Sequence, residues 1–190
     1  RVCRRLPLLK WLRSQTRMRD DFQSRNVRRE LRKLLPSNKD DVGAVDSLIA
    51  RGYPSIEPIL FDVLKWIRQP DWPVAVPLSK FLLSLGPSLL PHIHKIFSSP
   101  RDDAWKAEIL RTIVQYWPKE HVAELKSYLT MLATHGNSWG VDLISLRLLA
   151  RHQLVDRDWI AGWLDFKSEF HREQLQEIES IRKLNSNSAD

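Results

Sequence analysis

The sequence predicts an all-α protein, an α-solenoid of about three to four helix pairs wound as a right-handed superhelix. Three observations carry that expectation. Trp72, Trp105 and Trp139 recur at intervals of 33 and 34 residues, and a fixed period of that length marks a repeat architecture. A helical stretch follows each one: PVAVPLSKFLLSLG, KAEILRTIVQYW and GVDLISLRLLARHQL. Only 6 Gly accompany 11 Pro, a balance that favours helices broken by proline turns over a sandwich or barrel.

The chain opens on a basic arm. Residues 1–33 carry 12 Lys/Arg against 3 Asp/Glu, a net of +9, whereas the other 157 residues carry 18 against 20, a net of −2. The high isoelectric point thus belongs to the arm, and the body is close to neutral. Met18 is the first methionine, so residues 1–17 read as an extension from an upstream reading frame, an added tag or a larger precursor. The apolar stretch in RVCRRLPLLKWLR is short and interrupted by Lys10, which makes a poor signal peptide. Met18, Phe22, Val27, Leu31, Leu34 and Leu35 then form a sparse helical stripe, expected to cap the N-terminal end of the solenoid.

The repeat domain is expected over 34–184. Counted from each tryptophan, the second position reads Val74, Ala107, Val141 and the fourth Val76, Ile109, Leu143. The fifth reads Pro77, Leu110, Ile144 and the ninth Phe81, Val114, Leu148. Apolar positions at offsets 2, 5 and 9 lie on one face of an α-helix. Ahead of each tryptophan, Ser55-Ile56-Glu57-Pro58-Ile59 matches Ser88-Leu89-Leu90-Pro91-His92, with a third copy at Val122-Ala123-Glu124-Leu125. Ser55 and Ser88 are expected as N-caps, Gly52 and Gly86 as helix terminators, and Pro73 in the first turn of a second helix. No single pair can hide its apolar face, so neighbours must stack, with the tryptophans packed between adjacent pairs. A long helix over 158–184, bearing Trp159, Trp163, Phe166, Phe170, Leu175, Ile178 and Ile181, is expected as the C-terminal cap, and 185–190 as a disordered tail.

Several pieces of this stretch point to a family: Gly52-Tyr53-Pro54 with Glu57-Pro58, Asp71-Trp72-Pro73-Val74-Ala75, Pro91-His92-Ile93 and Asp103 to Lys106. Residues 34–133 resemble a bacterial HEAT-like family of unknown function. The resemblance implies a small intracellular protein, with some members similar to antitoxin or immunity-type modules. It brings no catalytic residues.

The residues themselves offer little chemistry. His92 and His94 lie two apart, which on a helix turns them about 200° from each other and away from a shared metal. The pairs Asp40-Asp41 and Asp102-Asp103 stand where helix caps are expected. The sequence contains no Gly-rich phosphate loop, G-x-S-x-G elbow, H-E-x-x-H motif or Cys/His dyad. The single cysteine, Cys3, fits a reducing compartment, and no apolar run of 18 residues could span a membrane. The expectation is a cytoplasmic, non-enzymatic module with no cofactor and no metal.

A protein partner is expected on the polar face of the second helices: Ser79, Lys80, Glu108, Arg111, Thr112, Gln115, Asp142, Ser145 and Arg147. Such mixed-sign ridges are what repeat proteins present to partners. The alternative is nucleic acid held by the arm, with Arg28, Arg29, Arg32 and Lys33 as phosphate contacts. A DNA-glycosylase reading, which some HEAT-like proteins invite, needs a basic concave groove; the near-neutral body departs from it.

Overall fold

The computed structural model of the chain describes residues 23–100, 102–135 and 139–187. The expected extension over 1–17, Met18 and Phe22 of the predicted stripe, and the end of the expected tail lie outside these residues. The described residues form ten α-helices joined by 3-10 turns and loops, and no strand occurs among them. No helix among them is long and apolar enough to cross a membrane. The chain divides into two compact units between Tyr116 and Trp117, a point inside the segment expected as one domain.

The first unit opens with helix α1 (23–31) and a 3-10 turn at Arg32–Leu34. Helix α2 (Val42–Arg51) starts where Asp41 accepts the Ala44 N–H at 3.2 Å. The same carboxylate takes the Ser37 N–H and hydroxyl at 3.0 and 2.8 Å. A side-chain oxygen at this position satisfies a backbone donor that the helix leaves orphaned. Helix α2 ends at Gly52, whose φ of 67° suits a residue without Cβ.

The next two helix starts differ from expectation. Helix α3 (Leu60–Leu64) is reached through a 3-10 turn at Glu57–Ile59, and α5 (Leu90–Phe97) through one at Gly86–Leu89. Neither Ser55 nor Ser88 caps; Ser88 lies within its turn. Pro58, Pro87 and Pro91 occupy the starts of these elements. Proline has a preset φ and no N–H to satisfy, so a capping oxygen has less to do there. Helix α4 (Ala75–Ser84) starts two residues after Pro73, and Pro77 takes its first turn instead. Helix α6 (Asp103–Thr112) contains Trp105 rather than following it.

At the 33-residue offset Ile56 matches Leu89 and Leu60 matches Ile93, and all four are fully buried, with Leu64, Leu78 and Leu82 also in the core. Removing each such side chain from water contributes about 1.5–3 kcal/mol. The Trp105 indole N–H donates to the Leu64 carbonyl at 3.0 Å, and its ring stands edge-on to Phe61 at 5.8 Å. That bond ties α6 to α3. On α5, His92 is half-buried near Phe61. Burial lowers its pKa, which Glu57 opposes and Lys95 reinforces.

The second unit comprises α7 (Lys119–Ala123), α8 (Lys126–His135), α9 (Val141–Arg151) and α10 (Arg157–Asn187). Val122, Leu125, Leu129, Val141 and Leu149 form its core, all fully buried. Helix α10 packs through Ile160 and Lys167, while residues 168–185 are exposed. Lys167 Nζ reaches Asp142 on α9 at 2.7 Å, with both side chains under 8% exposed (6% and 7%).

The three tryptophans do not share one environment. Trp105 is buried, Trp72 half-buried and packed on Trp66, but Trp139 is 68% exposed. The expected packing role therefore fails at the third copy, where Trp139 stands outside any helix with φ of 60°.

Candidate functional site

The phase of the second helices decides where polar side chains point. At the third position after each tryptophan stand Ala75, Glu108 and Asp142, and all three are buried. Ser145 is also buried, its hydroxyl donating to the Val141 carbonyl at 2.7 Å. Glu108, Asp142 and Ser145 thus leave the solvated ridge expected of them. Helices α6 and α9 turn that column inward together with the apolar second position. Arg111 and Arg147 are exposed, and Gln115 folds back to donate to the Arg111 carbonyl.

Four of the nine residues meet in one place. Ser79 and Lys80 of α4 and Glu108 and Thr112 of α6 line a groove of about 340 Å³. Val76 and Tyr116 border it, 55% and 64% exposed. The Glu108 carboxylate is 9% exposed, and its ion pair with Arg111 is long, at 3.9 Å. Burial pushes its pKa up against the opposing pull of Arg111. A desolvated carboxylate with one distant cation retains acceptor capacity. Thr112 spends its hydroxyl on the Glu108 carbonyl at 2.8 Å.

The second hollow, about 530 Å³, lies in the same unit beside α3. Arg28 Nη2 and Arg32 Nε both reach Asp62 Oδ2 at 3.0 Å, and Lys65 Nζ reaches Oδ1 at 2.8 Å. Asp62 is only 7% exposed. Burial raises its pKa, but hydrogen bonds from Lys65, Arg32 and Arg28 outweigh that and hold it well below the usual carboxylate range. The four expected phosphate contacts consequently part company. Arg28 and Arg32 converge on Asp62, while Lys33 and Arg29 lie 2.5 and 3.8 Å from Glu30. Sequence reasoning missed Asp62, because an acidic residue inside an apolar run carries no sign of which cations will fold over it.

In the second unit, Trp159, Trp163 and Phe166 follow one another along α10, the first pair tilted and the second T-shaped, with centroids 6.1 and 5.6 Å apart. With Asp158 and Gly162 they line a hollow of about 400 Å³. Among the described residues, no three His, Cys, Asp or Glu side chains come together as a metal site.

These features define an all-helical protein whose first unit carries two surface hollows, each lined by a buried carboxylate. Residues 34–144, more than half of the chain, match the family described as Domain of unknown function (DUF5071), and the chain belongs to that family. No curated protein matches the chain.

Proposed function

We propose that the chain is a non-enzymatic protein-binding module built from HEAT-like helix pairs, an immunity-type or regulatory partner acting in the cytoplasm. It works by occupying another protein's surface through the groove between α4 and α6. The observation that carries this reading is Glu108: a carboxylate 9% exposed, with a single ion pair at 3.9 Å, lining a groove bordered by exposed Val76 and Tyr116. A partner side chain with an apolar stem and an N–H head, arginine or lysine, fits that chemistry. The stem would lie between Val76 and Tyr116, and the head would donate to Glu108. Tyrosine and desolvated charge are the residue types that dominate binding energy at interfaces.

Contact with nucleic acid through Arg28, Arg29, Arg32 and Lys33 is the weaker reading, since the four do not form one surface: Arg28 and Arg32 converge on Asp62, while Arg29 and Lys33 turn to Glu30. The test is affinity capture with the full chain from cells that make it, followed by titration of the purified partner. Val76→Asp and Tyr116→Ala should each weaken binding at least ~tenfold, in line with the loss of one interface anchor, while Leu175→Ala on α10 should not. A partner that binds the two groove variants as tightly as the parent chain removes the groove from the account. Recovery of no protein at controlled salt removes the protein-binding reading itself.

A further inference from the structure

The hollow beside Asp62 is a different surface from the groove, and its charge does not balance. Arg28, Arg32 and Lys65 share the single Asp62 carboxylate, and Arg68 pairs with Asp102 at 2.8 Å. Four cations thus face two carboxylates. The three that line the hollow, Arg32, Lys65 and Arg68, remain 51%, 53% and 52% exposed, whereas Asp62 lies beneath them. An anion entering from solvent meets the cations first.

Donor geometry points the same way. Arg32 reaches Asp62 through Nε, which leaves its two terminal nitrogens as donors, and Arg68 reaches Asp102 through one terminal nitrogen. Guanidinium groups with free N–H edges suit phosphate oxygens, and Lys65 adds a compact charge. Asp62 acts from below as a positioning group, holding Arg32 and Lys65 at the rim. The remaining wall is aromatic. Trp66 and Trp72 stand 5.8 Å apart at 57°, a tilted pair that offers an indole face to a third ring. At about 530 Å³ the hollow falls within the ~300–1,000 Å³ of small-molecule sites.

We propose that this hollow binds a small anion carrying a planar ring, of the nucleoside phosphate class, with phosphate on Arg32, Lys65 and Arg68 and the ring against Trp66 and Trp72. The ligand must supply both halves. A phosphate alone leaves the indoles uncovered, and a ring alone leaves the excess positive charge unmatched.

Isothermal titration calorimetry of the full chain with ADP, pyrophosphate, adenosine and a short single-stranded oligonucleotide tests this. ADP is expected to bind, with pyrophosphate and adenosine each at least ~tenfold weaker, and binding should weaken as salt rises. Lys65→Gln and Arg68→Gln should each lose about tenfold for ADP, the effect of one charge-assisted hydrogen bond. Arg68→Lys, which keeps the charge, should lose less than Arg68→Gln. Trp72→Leu should bring ADP down to the level of pyrophosphate. Circular dichroism of each variant separates loss of binding from loss of fold, and Tyr116→Ala should leave ADP affinity unchanged, so this site and the groove stand or fall separately. The proposal is overturned by absence of ADP binding, by pyrophosphate binding as tightly as ADP, or by ADP affinity unchanged in both Lys65→Gln and Arg68→Gln. An oligonucleotide that binds where ADP does not overturns it in favour of a strand-binding surface.

Discussion

Replacing Lys167 with methionine should cost the second unit much of its stability. Its ammonium lies 2.7 Å from Asp142, with side chains 6% and 7% exposed. Breaking such a pair from one side strands a carboxylate in a low-dielectric interior, at about 3–5 kcal/mol. The unit spans Trp117–Asp190, and at roughly 0.05–0.15 kcal/mol per residue a unit of that size holds only about 4–11 kcal/mol. The loss is therefore comparable with the whole. The same helix supplies its own control. Arg172 and Glu169 form an ion pair with side chains 60% and 59% exposed, and Arg172→Met should cost only about 0–1 kcal/mol because water screens the pair. Replacing both buried charges, Asp142→Leu with Lys167→Met, should recover most of the loss, since an apolar pair of similar volume carries no desolvation cost. Urea unfolding followed by circular dichroism reads all four proteins. A Lys167→Met loss no larger than that of Arg172→Met would refute the argument, because burial is the difference between the two pairs.

Three further outcomes follow from the first unit. Asp62→Asn should destabilise at neutral pH, and its deficit against the parent should shrink as pH falls below about 4. A carboxyl whose folded pKa is depressed contributes stability that is present above its unfolded pKa and lost as pH drops toward the folded one; denaturant titrations across that range check it. Glu108→Gln should do the reverse, raising stability at pH 7, with the gain vanishing below about pH 4. Its raised folded pKa makes the acid form the compatible one, and a variant less stable than the parent at pH 7 contradicts that sign. Trp105→Phe should cost about 1–3 kcal/mol by leaving the Leu64 carbonyl without its indole donor, with a lowered melting temperature as the readout.

The sequence carried the secondary structure further than it carried the faces. Periodicity marked α4, α6 and α9, and the second and ninth positions after each tryptophan are apolar throughout, with Val74, Ala107, Val141, Val114 and Leu148 buried. Asp41 and Gly52 bound α2 as their chemistry requires. The fourth position, apolar in every copy but outside the face those two mark, is mixed: Ile109 is buried, whereas Val76 and Leu143 are 55% and 41% exposed. The third position misled, because two of its three residues are acidic and only the fold reveals that Glu108 and Asp142 point inward. Asp142 does so because Lys167, 25 residues on, reaches it, and no local pattern announces so distant a pairing. The groove was half legible. Ser79, Lys80, Glu108 and Thr112 stood among the expected contacts, but Val76 and Tyr116 did not, because no local pattern marks an apolar side chain left in solvent. The hollow beside Asp62 depends on residues from 28 to 72 converging in space.

Protein binding through the α4–α6 groove is the central claim, and site-specific photo-cross-linking tests it most directly. A photoreactive phenylalanine analogue is placed at position 76 or 116, and at 47 on the exposed face of α2 as the control, in cells that make the chain. The account predicts one and the same protein adduct from positions 76 and 116 and none from position 47. Adducts absent from both groove positions, or equally abundant from position 47, would contradict it.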